Sequence, residues 1–147
     1  MNDSTGDAAG GPSRPWSDSV TTVVVDGNNV IGSVPDGWWR DPPAAVRRLL
    51  PRLVCYQRRT GHGVVLVLDV AQPDLPEGHH DGVEIRYARR SGRNAADDRI
   101  LDLLDDFDGA SVAVVSSDQA LARSAAQRGA NVGGAGAFLR RLDDLGC

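Results

Sequence analysis

The sequence predicts an α/β fold in which a mostly parallel sheet is covered by helices on both faces. Two patterns point to it. Short runs at residues 21–25, 64–68 and 111–115 are apolar almost throughout, as strands buried on both faces are, and segments of helical spacing lie between them. Each run is followed within three residues by an aspartate, Asp26, Asp69 or Asp118. The carboxyl ends of parallel strands are where an open α/β sheet forms its crevice.

Residues 1–19 are rich in Gly, Ser, Asp and Pro, with Trp16 the only large apolar side chain. Such a stretch cannot offset the entropy of ordering, so a disordered tail is expected, followed by one domain over 20–147. The first strand stops at a turn on Gly27. Asp41-Pro42-Pro43 offers a cap candidate and first-turn prolines, after which Val46, Leu49, Leu50, Leu53 and Val54 repeat at helical spacing. A helix of about residues 42–59 results, which Pro51 should kink or divide. Gly61-His62-Gly63 ends it, and Val64 to Leu68 form the second strand.

Residues 70–81 read as a polar loop. Val83 to Tyr87 then alternate as a half-exposed edge strand, with Glu84 and Arg86 outward. Asn94 can cap a helix whose stripe holds Asp97, Ile100, Leu101 and Leu104, so Asp97 faces the core. A strand at 111–115, a helix at 118–128 ending on Gly129, a brief strand at 130–132 and a helix anchored by Leu139 and Leu142 complete the chain.

All 16 basic residues are arginine, which removes any mechanism needing an ammonium or a Schiff base, and the net charge of −4 argues against a protein that coats nucleic acid. Charge is nonetheless segregated. Arg86, Arg89, Arg90, Arg93 and Arg99 form a basic strip, read either as solvated surface or as an RNA contact. Cys55 and Cys147 show neither zinc spacing nor the pattern of a secreted disulfide scaffold. With no leader-like segment and no apolar run long enough to span a membrane, a reducing cytoplasm is the expected location.

Several acids in one crevice repel one another and are expensive to bury unless a cation compensates them. Magnesium and manganese prefer oxygen ligands and keep water, which suits metal-assisted phosphodiester hydrolysis. A phospho-acceptor receiver domain would need a lysine that this chain lacks. A haloacid-dehalogenase-type phosphatase would need Asp-x-Asp where Asp26-Gly27-Asn28 stands.

Asp26-Gly27-Asn28-Asn29, Ala96-Asp97-Asp98 and Ser116-Ser117-Asp118, in that order, resemble the signature blocks of NYN-domain ribonucleases of the PIN-like superfamily, most closely the YacP-like branch. The likeness runs from Thr21 to Leu142 and includes Arg40-Asp41-Pro42 and Phe138-Leu139. It implies a three-layer, Rossmann-like PIN/NYN fold with strand order 3-2-1-4-5 and a metal-dependent endoribonuclease activity with Mg²⁺ or Mn²⁺. Asp26, Asp97, Asp98 and Asp118 would form the metal site, with Asn29 orienting a ligand, water or phosphate and Asp69 in second rank. Asn28 departs from the aromatic residue common there in YacP-like sequences. RNA, single-stranded in the first instance, is the implied partner, with ribosomal or RNA-processing assemblies as further candidates. The competing function is a catalytically inactive RNA-binding adaptor of the same fold.

Other features have plainer explanations. Trp38 and Trp39 could stack on bases, but large aromatics are mostly buried and core-edge packing is favoured. His79 and His80 lack the spacing of a metal site and belong to the expected loop. Gly133, Gly134 and Gly136 make a tight strand-to-helix turn rather than a phosphate cradle.

Overall fold

The computed structural model describes residues 16–92 and 94–147. Its strands are β1 (Thr22–Asp26), β2 (Gly63–Leu68), β3 (Gly78–His80), β4 (Val83–Tyr87), β5 (Val112–Val115) and β6 (Asn131–Gly133). Its helices are α1 (Gly27–Gly32), α2 (Pro42–Thr60), α3 (Ala95–Leu104), α4 (Gln119–Gln127) and α5 (Ala135–Asp144). The sheet order is β3-β4-β2-β1-β5-β6, parallel except for the antiparallel β3–β4 pair. Leaving β3 aside, this is the expected 3-2-1-4-5 arrangement.

The three layers follow from the period-two alternation of strand side chains. Val23 and Val25 face one core with Val46, Leu49 and Leu53 of α2 and Phe138 and Leu142 of α5. Val24 faces the other with Ile100 and Leu104 of α3 and Leu121 and Ala125 of α4. Both faces of β1 are therefore covered at Val23, Val24 and Val25, which is why these three residues are apolar.

Five local expectations change. Residues 78–80 form β3 rather than a loop, because Asp81 (φ 53°) and Gly82 (φ 91°) make a two-residue turn of the kind that closes tight hairpins. His79 and His80 therefore lie on a strand, and β4 is paired on both sides instead of forming the sheet edge. Pro51 does not divide α2: it and Arg47 are exposed, so the carbonyl that loses its partner there can turn to water. Asn94 precedes α3 at φ 63° and makes no side-chain cap, since a capping residue needs extended backbone. Instead of a bare turn, α1 follows β1 directly. Asp41 does cap α2, accepting from the Ala44 amide at 3.1 Å.

The ends of the described residues are tied in. Trp16, within the stretch expected as a tail, packs against the core, and the Ser17 amide donates to Asn131 Oδ1 at 3.4 Å. Cys55 and Cys147, whose pattern did not suggest a disulfide scaffold, are joined by a disulfide across 92 residues, Cα–Cα 5.6 Å. The fold of α5 against α2 brings them together. Arg52 Nε also donates to the Cys147 carbonyl at 3.1 Å. Among the described residues no helix is long and apolar enough to cross a membrane. Trp38 packs partly against the core, whereas Trp39 is 59% exposed.

Candidate functional site

Four acids meet beyond the carboxyl ends of β1, β2 and β5, where the connections leave the middle of the sheet in opposite directions. Asp26 is the last residue of β1 and only 5% exposed. Asp69 follows β2, Asp97 lies in the first turn of α3, and Asp118 precedes α4. Their fields overlap. Burial pushes the Asp26 carboxyl up to about 6, opposed by the Ser116 hydroxyl and reinforced by Asp97 and Asp69. Asp97 is raised first by burial and then by Asp118, Asp69 and Asp98, and Asp69 by loss of surrounding water.

A hydrogen-bonded frame holds these groups. Ser116 Oγ donates to Asp26 Oδ2 at 2.8 Å and accepts from the Asp118 amide at 3.1 Å, linking the ends of β1 and β5 through one buried hydroxyl. Asn29 Oδ1 accepts from the Ser117 amide at 2.8 Å, and Asn28 Oδ1 from the Asp69 amide at 2.9 Å. The two asparagines of α1 thus reach in opposite directions to fix the loops after β5 and β2. Asn28, the departure from the usual aromatic, acts as a positioning residue for Asp69. Asp118 Oδ1 caps α4 by accepting from the Leu121 amide at 3.0 Å. Its other oxygen makes no hydrogen bond among the described residues.

Gly27 lets α1 begin against β2. A Cβ there would sit 2.6 Å from Leu68 Cδ2 and 2.9 Å from the Val67 carbonyl oxygen, and backbone cannot step aside as a side chain can. Gly27→Ala is therefore expected to destabilise the fold by about 1–3 kcal/mol, the usual cost of overpacking. Urea unfolding checks this. An unchanged midpoint would mean that β1 and β2 separate freely here.

The remaining candidates are distributed differently. Asp98 is exposed and ion-paired with Arg90, though its charge still adds to the field on Asp97. Arg86 pairs with Glu84 at 2.6 Å and Glu77 at 3.9 Å. Arg89 is exposed, Arg99 is buried, and Arg93 lies outside the described residues. Sequence reasoning named Ser116 within a motif but assigned it no role. A serine two residues before a strand-end aspartate is the pattern of a local hydroxyl turn, and that was the available signal.

The donor chemistry suits magnesium or manganese, whose ligands are oxygens and whose binding would relieve the mutual repulsion of Asp26, Asp69 and Asp97. Among the described residues, however, no three His, Cys, Asp or Glu side chains are arranged as a ready ligand set. Magnesium tolerates this, since it keeps several waters and commonly takes only one or two carboxylates together with substrate phosphate.

Comparisons with known proteins bear on the family and the fold. The family model described as the YacP-like NYN domain matches residues 23–146. The crystal structure of Rae1 (YacP) from Bacillus subtilis is similar with TM-score 0.69 and 26% identity, covering 84% of this chain and 74% of that one. The structure of its W164L mutant gives TM-score 0.69, 25% identity, and coverage of 84% and 75%. No curated protein matches the chain.

Proposed function

The chain belongs to the YacP-like NYN domain family, a family of nucleases, and from that premise we propose that it is a metal-dependent endoribonuclease acting by metal-activated water. The observation that carries the proposal is the convergence of Asp26, Asp69, Asp97 and Asp118: burial raises the Asp26, Asp97 and Asp69 carboxyls, Asp97 and Asp69 raise Asp26 further, and Asp118 and Asp69 raise Asp97 further. Structural ion pairs lower a carboxylate pKa, whereas here burial and neighbouring acids raise it, and that pattern is the one expected of functional sites.

Asp26, Asp97 and Asp118, with Asp69, would hold Mg²⁺ or Mn²⁺. When bound, such an ion lowers the pKa of coordinated water and neutralises charge developing on the phosphate. The chain's own residues provide the frame. Ser116 fixes the Asp26 oxygen that it touches and ties Asp118 to it, while Asn29 and Asn28 hold the Ser117 and Asp69 amides. Asp98 belongs to this site only if its pairing with Arg90 opens. The arginines beside α3 would draw the RNA backbone toward the acids. We place the protein in the cytoplasm, provided the Cys55–Cys147 bond forms or is dispensable there.

Asp118→Asn is the clean test, because asparagine also caps helices well and α4 should persist. With labelled RNA and magnesium or manganese, the wild type should leave 3′-hydroxyl and 5′-phosphate ends, and chelator should stop it. The variant should cut about 100-fold more slowly or worse, matching several kcal/mol of lost charge stabilisation. Cleavage that survives chelation, or 2′,3′-cyclic phosphate products, would show that the ribose hydroxyl attacks instead. An inactive adaptor is the second reading, favoured by the lack of a ready ligand set. It requires RNA to bind equally with magnesium or chelator and to remain uncut.

A further inference from the structure

A cleft of about 440 Å³ adjoins the acids across α3, lined by Arg89, Arg90, Asp98, Arg99, Asp102 and Arg128. Asp98 and Asp102 are four residues apart and share one face of the helix, next to the face that carries Asp97. Four guanidiniums against two carboxylates leave a local excess of two positive charges in a protein of net charge −4. Arg128 comes from the carboxyl end of α4 and is distant in sequence from the others.

Arg99 is the decisive group. It is 9% exposed, its Nε is buried without a hydrogen-bond acceptor, and no carboxylate pairs with it among the described residues. A buried, uncompensated charge is strongly unfavourable, and an anion at the cleft would remove that penalty. Arg90 is already tied to Asp98. Arg89 has no ion-pair partner among the described residues, and the Arg128 guanidinium donates only to the Ser124 carbonyl at 3.3 Å. Guanidiniums from three separate elements around one cavity suit an anion with several oxygens in different directions, and a phosphate meets that requirement better than a planar carboxylate.

We propose that this cleft is a phosphate-binding subsite, with Arg99 as its buried anchor and Arg89 and Arg128 at its rim, seating an RNA phosphate away from the scissile bond. That source of the phosphate rests on the RNA function proposed above. The phosphate chemistry itself does not. Arg86, neutralised by Glu84 and Glu77, takes no part.

Thermal unfolding in inorganic phosphate and in chloride, at equal ionic strength and without divalent metal, tests the subsite directly. The wild-type melting temperature should rise by about 2–4 °C once phosphate exceeds its Kd tenfold. Arg99→Met should melt no lower than wild type in chloride and should lose the phosphate increment. Arg128→Ala, a surface change, should lose most of it even if Arg99→Met folds poorly. Absence of a phosphate-specific rise in the wild type, or its persistence in Arg128→Ala, overturns the subsite.

Binding of two oligoribonucleotides that differ only in a 5′-phosphate or 5′-hydroxyl, in chelator, identifies the source. Arg128→Ala should weaken both by about tenfold if an internal phosphate occupies the cleft, and only the phosphorylated chain if a terminal one does. Unchanged affinity for both overturns the RNA assignment. Neither readout needs cleavage. Loss of nuclease activity beside an intact phosphate response would therefore count against the proposed reaction alone.

Discussion

Replacing Asp26 with asparagine is expected to slow cleavage severely and, without metal, to make the protein more stable at pH 8. The carboxyl ordinarily titrates near 3.8 and is pushed up to about 6 in the folded chain, chiefly by burial. The folded state thus binds more protons than the unfolded state between those values. This group's contribution is most favourable below about pH 4, declines as pH rises, and is fully lost above about 6. The interval corresponds to about 3 kcal/mol at pH 8, an order-of-magnitude figure for a carboxylate that is almost wholly buried. Asp97 and Asp69, also raised, act with the same sign.

Asparagine keeps an oxygen for Ser116 and removes the charge. Denaturant unfolding at pH 5 and pH 8 should show a smaller loss of stability across that interval for Asp26→Asn than for wild type, and magnesium should narrow the difference by stabilising only the wild type. Cleavage should fall by about two to three orders of magnitude. A variant less stable than wild type at pH 8 would mean that the Asp26 charge is already compensated within the protein.

Opening the Cys55–Cys147 bond is expected to be the most destabilising of the changes considered. The bond closes a loop of nearly the whole domain, 92 residues in separation. Releasing such a loop costs roughly 2–5 kcal/mol through the entropy regained by the unfolded chain. The melting temperature should drop by about 10 °C on reduction, and equally in a Cys55→Ala, Cys147→Ser double variant. Native packing should survive, because Leu142 remains in the core and Arg52 still holds the terminus through the Cys147 carbonyl and Asp143. The acids stand at the strand ends, in the first turn of α3 and just before α4, away from the cross-link, so activity at low temperature should be retained. Equal melting of the oxidised and reduced protein would show that this chain gains nothing from the cross-link.

The parallel core strands and their acids were legible in the sequence because burial on both faces demands an unbroken apolar run, and a carboxylate directly after one has few ordinary reasons to be there. Asp26, Asp69 and Asp118 were legible on that ground, and Asp97 by its place on an apolar helix stripe. The hairpin was missed: polar His79 and His80 masked a strand whose pairing depends on backbone rather than on side-chain burial. Local signals also misjudged Pro51 and Asn94, where exposure and a left-handed backbone decided the outcome.

What the sequence by itself determined is the parallel strands and the longer helices, their α/β class and the acidic residues, since each depends on periodicity and residue type within a few positions. Only the tertiary structure decided which groups act together. Asp69 joins the acids while Asp98 turns to Arg90, Ser116 bridges Asp26 and Asp118, Arg128 meets Arg99, and Cys55 meets Cys147. These associations link distant segments, and a side chain's charge state and partners follow from its neighbours in space, which the order of residues along the chain does not specify.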